Sequence, residues 1–252
     1  MRERIYIAAE IGTLTALAWL YLVRMPMTAS DFGSIVERIT RPLPLPVVDF
    51  AIAFLMWAVM MVAMMLPSAS PMILTYARIA GGRSASPASA TWMFTGGYLA
   101  VWTGFSIAAT ALQFALASVS MLTNALTLAP AVGAAVLIAA GIYQFTPWKN
   151  ACLSHCQSPV GFFMTRWRDG LTGAFRMGLE HGTMCVGCCW MLMALLFAAG
   201  VMNLTWVAAL TILVLVEKVV PYPSAVSYAA GAALIAMGVL GLFPSWLAGH
   251  WL

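Results

Sequence analysis

Between His181 and Trp190 the chain reads His-Gly-Thr-Met-Cys-Val-Gly-Cys-Cys-Trp, one imidazole and three thiols in close succession. On an α-helix each residue advances about 100°, so His181, Cys185 and Cys188 fall within about 60° of one another, with Cys189 beside them. Met177 and Met184 flank the same stripe. Thiolate and imidazole bind Cu(I) and Zn(II) far better than they bind Mg(II), Mn(II) or Ca(II), so this face carries the donors of a soft-metal site. Upstream, Cys152, His155 and Cys156 have i, i+3, i+4 spacing, which one helical turn would align. The two sets hold all five cysteines of the chain. A free cysteine also packs as a small hydrophobe, but confinement of every cysteine to residues 152–189 favours metal binding. The expected ligands are Cys152, His155, Cys156, His181, Cys185, Cys188 and Cys189. The ion is expected to be Cu(I) ahead of Zn(II), because methionines surround the site and Zn(II) makes little use of thioethers.

The elements that must position these residues are apolar. Of 252 residues, 63% are hydrophobic and only 8% charged, against about 25% charged in soluble domains. The pattern predicts an all-α, polytopic transmembrane bundle forming a single integral-membrane domain over 1–252. Seven spans are expected, at 5–23, 47–66, 92–116, 130–145, 181–201, 204–220 and 225–243. Pro67 and Pro71 should end or kink the second. Residues 24–46 read as an amphipathic helix on the outer surface, and 146–180 as a long polar Cys/His loop. Glycine and alanine abound in the third, fourth and seventh spans, as close packing in lipid favours. The run 5–23 has no small-residue cleavage site, so it reads as a span and not as a signal peptide. No basic run interleaves with aromatics, which excludes a nucleic-acid surface.

Charge fixes the expected orientation. With the N-terminus inside, Arg2, Arg4, Arg78, Arg83, Lys149, Arg166, Arg168, Arg176 and Lys218 are cytoplasmic, and only Arg24, Arg38 and Arg41 lie outside. All five cysteines then sit on the cytoplasmic side, where thiols stay reduced and a disulfide framework is disfavoured.

Other residues have readings of their own. Met56, Met60 and Met64 follow an i+4 register, with Met61 and Met65 beside them. They could pass Cu(I) towards the cysteines, although flexible apolar filler on a lipid-facing helix is the better account. Asp49 suits a helix N-terminus. Glu217 and Lys218 read as an ion pair or a snorkelling pair, and Glu10 as an intramembrane carboxylate without a partner. Tyr143, Gln144 and Lys149 close the fourth span beside Cys152, where they could hydrogen-bond around its ligands.

Several segments together carry a resemblance. These are Trp57-Ala-Val-Met-Met-Val-Ala-Met-Met-Leu-Pro67, Tyr143-Gln-Phe-Thr-Pro-Trp-Lys149, Cys152-Leu-Ser-His-Cys-Gln-Ser-Pro159, His181 to Met193 with its Gly-Cys-Cys-Trp element, and Glu217-Lys218. In this order they resemble a bacterial family of predicted metal-binding integral membrane proteins, a domain of unknown function sometimes labelled copper-chaperone-like. Tyr222-Pro223 stands where that family's pattern has a glycine-containing turn. The resemblance implies metal binding without a defined reaction.

The leading expectation is therefore a multi-pass protein of the bacterial inner membrane that handles a soft ion, with the bilayer and a metalloprotein or membrane complex as partners. A membrane thiol oxidoreductase using the Cys185/Cys188 pair is the alternative, as is a structural subunit of a membrane complex. A metal-dependent enzyme ranks last, since the chain has no paired carboxylates in mid-span and no glycine-rich phosphate loop. Reporter fusions at residues 85, 125, 160 and after 252 check the topology. The expected pattern is cytoplasmic, external, cytoplasmic and external, and a cytoplasmic signal after 252 contradicts an odd number of spans.

Overall fold

The computed structural model describes residues 2–24, 46–84, 86–119, 122, 127–201, 203–220 and 223–242, and these are almost entirely helical. In chain order the helices are α1 (Arg2–Arg24), α2 (Pro46–Ala80), α3 (Pro87–Ser118), α4 (Pro130–Gln144), α5 (Pro147–Gln157), α6 (Pro159–Arg166), α7 (Gly170–Ala199), α8 (Leu204–Val219) and α9 (Pro223–Gly241). Helices α2 to α6 and α9 all begin at a proline, whose fixed φ and missing N–H suit a first helical turn. The amphipathic helix expected over 24–46 falls almost wholly outside the described residues.

Proline inside α2 has a different outcome from the one its sequence suggests. Pro67 and Pro71 do not end the helix, which continues to Ala80. Each proline deprives the carbonyl four residues earlier of its N–H partner. The carbonyl of Ala63, freed by Pro67, accepts from Trp19 Nε1 of α1 at 3.1 Å. That of Pro67, freed by Pro71, accepts from Ser70 Oγ at 2.7 Å. Both orphaned acceptors are satisfied, so the long helix survives in an apolar setting.

Close packing rests on glycine. Helices α3 and α7 share the most extensive interface of the bundle. A Cβ at Gly97 would run into the Phe175 carbonyl, and one at Gly178 into the Phe94 carbonyl. The α4/α9 pair uses the same device, with Gly141 against the Gly231 backbone and Gly238 against that of Ala134.

By length and composition, α1, α2, α3, α7 and α9 could each cross a membrane, and α4 with α5, bent by 64°, could make a sixth crossing. The seven-span expectation also counts α8, whose 16 residues rise only about 24 Å against an apolar thickness of about 30 Å.

Two corrections bear on the site. The segment expected as a polar loop over 146–180 holds α5, α6 and the start of α7. Helix α7 begins at Gly170, whose φ of +79° suits glycine. The Cys/His motif therefore lies in the middle of a 30-residue helix, and not at the mouth of a span.

Substituting Gly178 or Gly97 by alanine is expected to cost about 1–3 kcal/mol, since the new methyl meets backbone that cannot swing aside. Gly104→Ala, where nothing lies within 4 Å of the added carbon, should shift stability by less than about 0.5 kcal/mol. Thermal unfolding in mild detergent distinguishes the two classes.

Candidate metal centre

One face of α7 carries Met177, His181, Cys185, Cys189 and Met193 at successive i+4 positions, and every one of them is buried. Cys188 joins this stripe from the adjacent row. The sulfurs of Cys185, Cys188 and Cys189 all lie within 4.8 Å of one another. A single backbone acceptor gathers them: the Cys188 thiol donates to the Cys185 carbonyl at 3.1 Å and the Cys189 thiol at 2.8 Å. These bonds keep two sulfurs on the Cys185 side of the helix.

A fourth sulfur comes from α5. Cys156 is buried and stands near the thiols of Cys185 and Cys188, just outside their close group. Helix α5 can close this far because residue 187 is glycine. A Cβ there would come within 2.8 Å of the Cys152 sulfur. Tyr143, near the end of α4, donates its hydroxyl to the Gly187 carbonyl at 2.5 Å and so ties α4 to the same turn of α7. Cys152 itself is half-buried at the rim of the cluster.

The two histidines behave differently. His155 is exposed, and its Nδ1 lies 2.7 Å from the Ala151 carbonyl of its own helix, turned away from the sulfurs. His181 is buried, stacked at 5.3 Å from the Tyr98 ring and 6.1 Å from Phe94, with the edge of Phe162 at 6.1 Å. Neither of its ring nitrogens has a hydrogen-bond partner among the described residues. Of the seven expected ligands, the fold thus gathers Cys185, Cys188 and Cys189, sets Cys156, Cys152 and His181 beside them and points His155 outward.

A cation faces the thiols. Lys218 Nζ donates to Cys185 Sγ at 3.0 Å and to Ser68 Oγ at 2.9 Å, so it joins α8 to α7 and α2. The Tyr98 hydroxyl completes the surroundings, 3.2 Å from Cys185 Sγ and 3.1 Å from the Met65 carbonyl. This overturns the Glu217–Lys218 pair expected from adjacency. Residues i and i+1 do not face each other on a helix, and Glu217 turns instead to Lys149 of α5. Lys149 Nζ reaches both carboxylate oxygens at 2.8 Å, and Ser227 donates to one of them at 2.9 Å. The pair is buried and fastens α5, with Cys152 and Cys156, to the bundle. Lys149 therefore acts on the carboxylate and not on a cysteine, while the Gln144 side chain makes no hydrogen bond among the described residues.

Sequence reasoning missed Lys218, Ser68 and Tyr98 as neighbours of the site. For Ser68 a signal existed, because it continues the 56, 60, 64 register into the helix. The methionines of that register, with Met61 and Met65, are all buried. They line the interior of the bundle and do not face lipid.

The chain belongs to the copper chaperone family, whose model matches residues 54–241 and so spans the whole centre. No curated protein and no solved structure matches the chain. The donor chemistry fits the family: buried thiols, an orphaned imidazole and buried thioethers are ligands for a soft ion.

If α5 and α7 build one centre, a short bifunctional thiol reagent should join Cys156 to Cys185 or Cys188 in metal-free protein. The test is mass mapping of a variant that lacks Cys152 and Cys189. Bridging confined to the 185/188 pair contradicts the shared site.

Proposed function

We propose that this member of the copper chaperone family is an integral protein of the bacterial inner membrane that holds Cu(I) on Cys185, Cys188, Cys189 and Cys156 and hands it to a metalloprotein or membrane-complex partner. The observation that carries this reading is the buried set of mutually close sulfurs with one ammonium against it. Copper here is cargo.

Charge supports Cu(I) over Zn(II). Burying net charge in an apolar interior is costly unless it is paired. Cu(I) bound by two thiolates leaves one negative charge, which Lys218 balances. Zn(II) bound by four thiolates leaves two, and Lys149 is already committed to Glu217. Ligands lose their protons as the metal binds, and the remaining sulfurs stay close enough to exchange with the bound pair. Buried methionines around the stripe supply further soft contacts. An oxidoreductase using Cys185 and Cys188 would need its attacking thiol open to a disulfide substrate, and both thiols are buried.

Purified, reduced wild type should take up Cu(I) stoichiometrically. Cys185→Ser or Cys188→Ser should abolish that binding, while Met60→Leu leaves stoichiometry unchanged and at most slows loading. Elemental analysis and competition with a colorimetric Cu(I) chelator are the measurements. Wild type that binds zinc stoichiometrically and ignores Cu(I) overturns the assignment.

A further inference from the structure

His181 is the residue of the centre with no visible employment. Its imidazole is 2% exposed, yet neither nitrogen is hydrogen-bonded among the described residues. A desolvated polar group without a partner costs about 1–3 kcal/mol, so the position calls for a ligand. It is not part of the close sulfur group. One helical turn, about 6 Å of rise, separates it from Cys185 on the same face. One turn beyond it is the buried thioether of Met177.

What surrounds the ring shows which way it leads. Tyr98 and Phe94 stack on it and Phe162 caps it edge-on. Beyond these, Phe163 packs against Phe94 and Tyr76, and Tyr76 stacks on Trp167. Arg83 lies over the outer face of Trp167 at 5.3 Å. These rings form one connected aromatic cluster that runs from His181 to the side chains of α6 and to Trp167 beyond it. Helix α6 has only eight residues, and its buried side chains are Phe162 and Phe163. Val160 and Met164, on its other side, are exposed. The cover over His181 is thus a short helix held down by two aromatic side chains.

We propose that His181 is a transfer ligand: it accepts Cu(I) from Cys185 and passes it out beneath Phe162, so that copper enters and leaves the thiol site at the α6 end. The inference rests on the reading of the cysteines as a Cu(I) site. Exchange proceeds by ligand substitution without redox change. The imidazole nitrogen lone pair forms a bond to Cu(I) as one Cu–S bond breaks, and the nitrogen is in turn displaced by the acceptor. The aromatic walls exclude water, so the ion crosses this stretch only if a protein donor carries it.

The test measures stoichiometry and rate separately. Wild type and variants are loaded with one equivalent of Cu(I) in detergent, and transfer to bathocuproine disulfonate is followed by stopped flow. His181→Phe keeps the aromatic packing but removes the nitrogens. It should retain one Cu(I) and slow transfer about tenfold or more, the scale on which loss of a ligand-positioning group is felt. His181→Met, which restores a soft donor, should recover most of the rate, and Phe162→Ala should transfer faster than wild type. The proposal is overturned if His181→Phe transfers at the wild-type rate, or if it no longer holds Cu(I), because the imidazole would then be a resident ligand. Wild type that fails to load removes the thiol-site reading itself, a result separate from either.

Discussion

An apolar bundle offers no water to its interior polar groups, so each must find its partner within the protein. Most of this architecture follows from meeting that demand. Trp19 and Ser70 cap the carbonyls exposed by the two prolines of α2. Glu217 takes Lys149, and Ser227 adds a hydrogen bond to the carboxylate. Lys218 spans Ser68 and the Cys185 sulfur. Apart from the Ser70 bond within α2, these bonds run between helices, so satisfying them also fixes where the helices stand. A buried ion pair contributes little net stability in general, but breaking one is costly. Its effect here is positional: it holds α5 where Cys156 meets the α7 thiols.

The centre combines a rigid donor set with a matched charge. Two thiols share the Cys185 carbonyl, which groups the sulfurs on one side of α7. Glycine makes the grouping possible, at residue 187 for the approach of α5 and at residues 97 and 178 for that of α3. A site assembled in advance binds without a large ordering cost, which for cargo must be balanced by a way to leave. The unpartnered imidazole one turn from the sulfurs and the short helix above it supply that way on our account.

The sequence showed the helical, apolar character of the chain and the α7 cysteine face plainly, because 3.6-residue periodicity and hydropathy are local signals. What it did not show is where neighbouring side chains part company. Glu217 and Lys218 are adjacent in the chain but about 100° apart around α8, and they serve different partners. The same rotation separates His155 from Cys156: on α5 the buried stripe is Lys149, Leu153 and Cys156, and His155 falls outside it. Thr146-Pro147 is an N-cap followed by a proline at N1, and it marked the start of α5 within the stretch read as a loop. The methionines of α2 were ambiguous for a physical reason, since lipid and protein interior are equally apolar and a hydropathy pattern cannot separate them.

The central claim is that Cu(I) is held by sulfur from two helices. X-ray absorption at the copper edge of wild type loaded with one equivalent reads the ion's oxidation state and first shell together. The account predicts Cu(I) with a first shell of two or three sulfurs in wild type, and no sulfur-bound copper when Cys188 is replaced by serine. A shell dominated by nitrogen or oxygen, unchanged by that substitution, would contradict it.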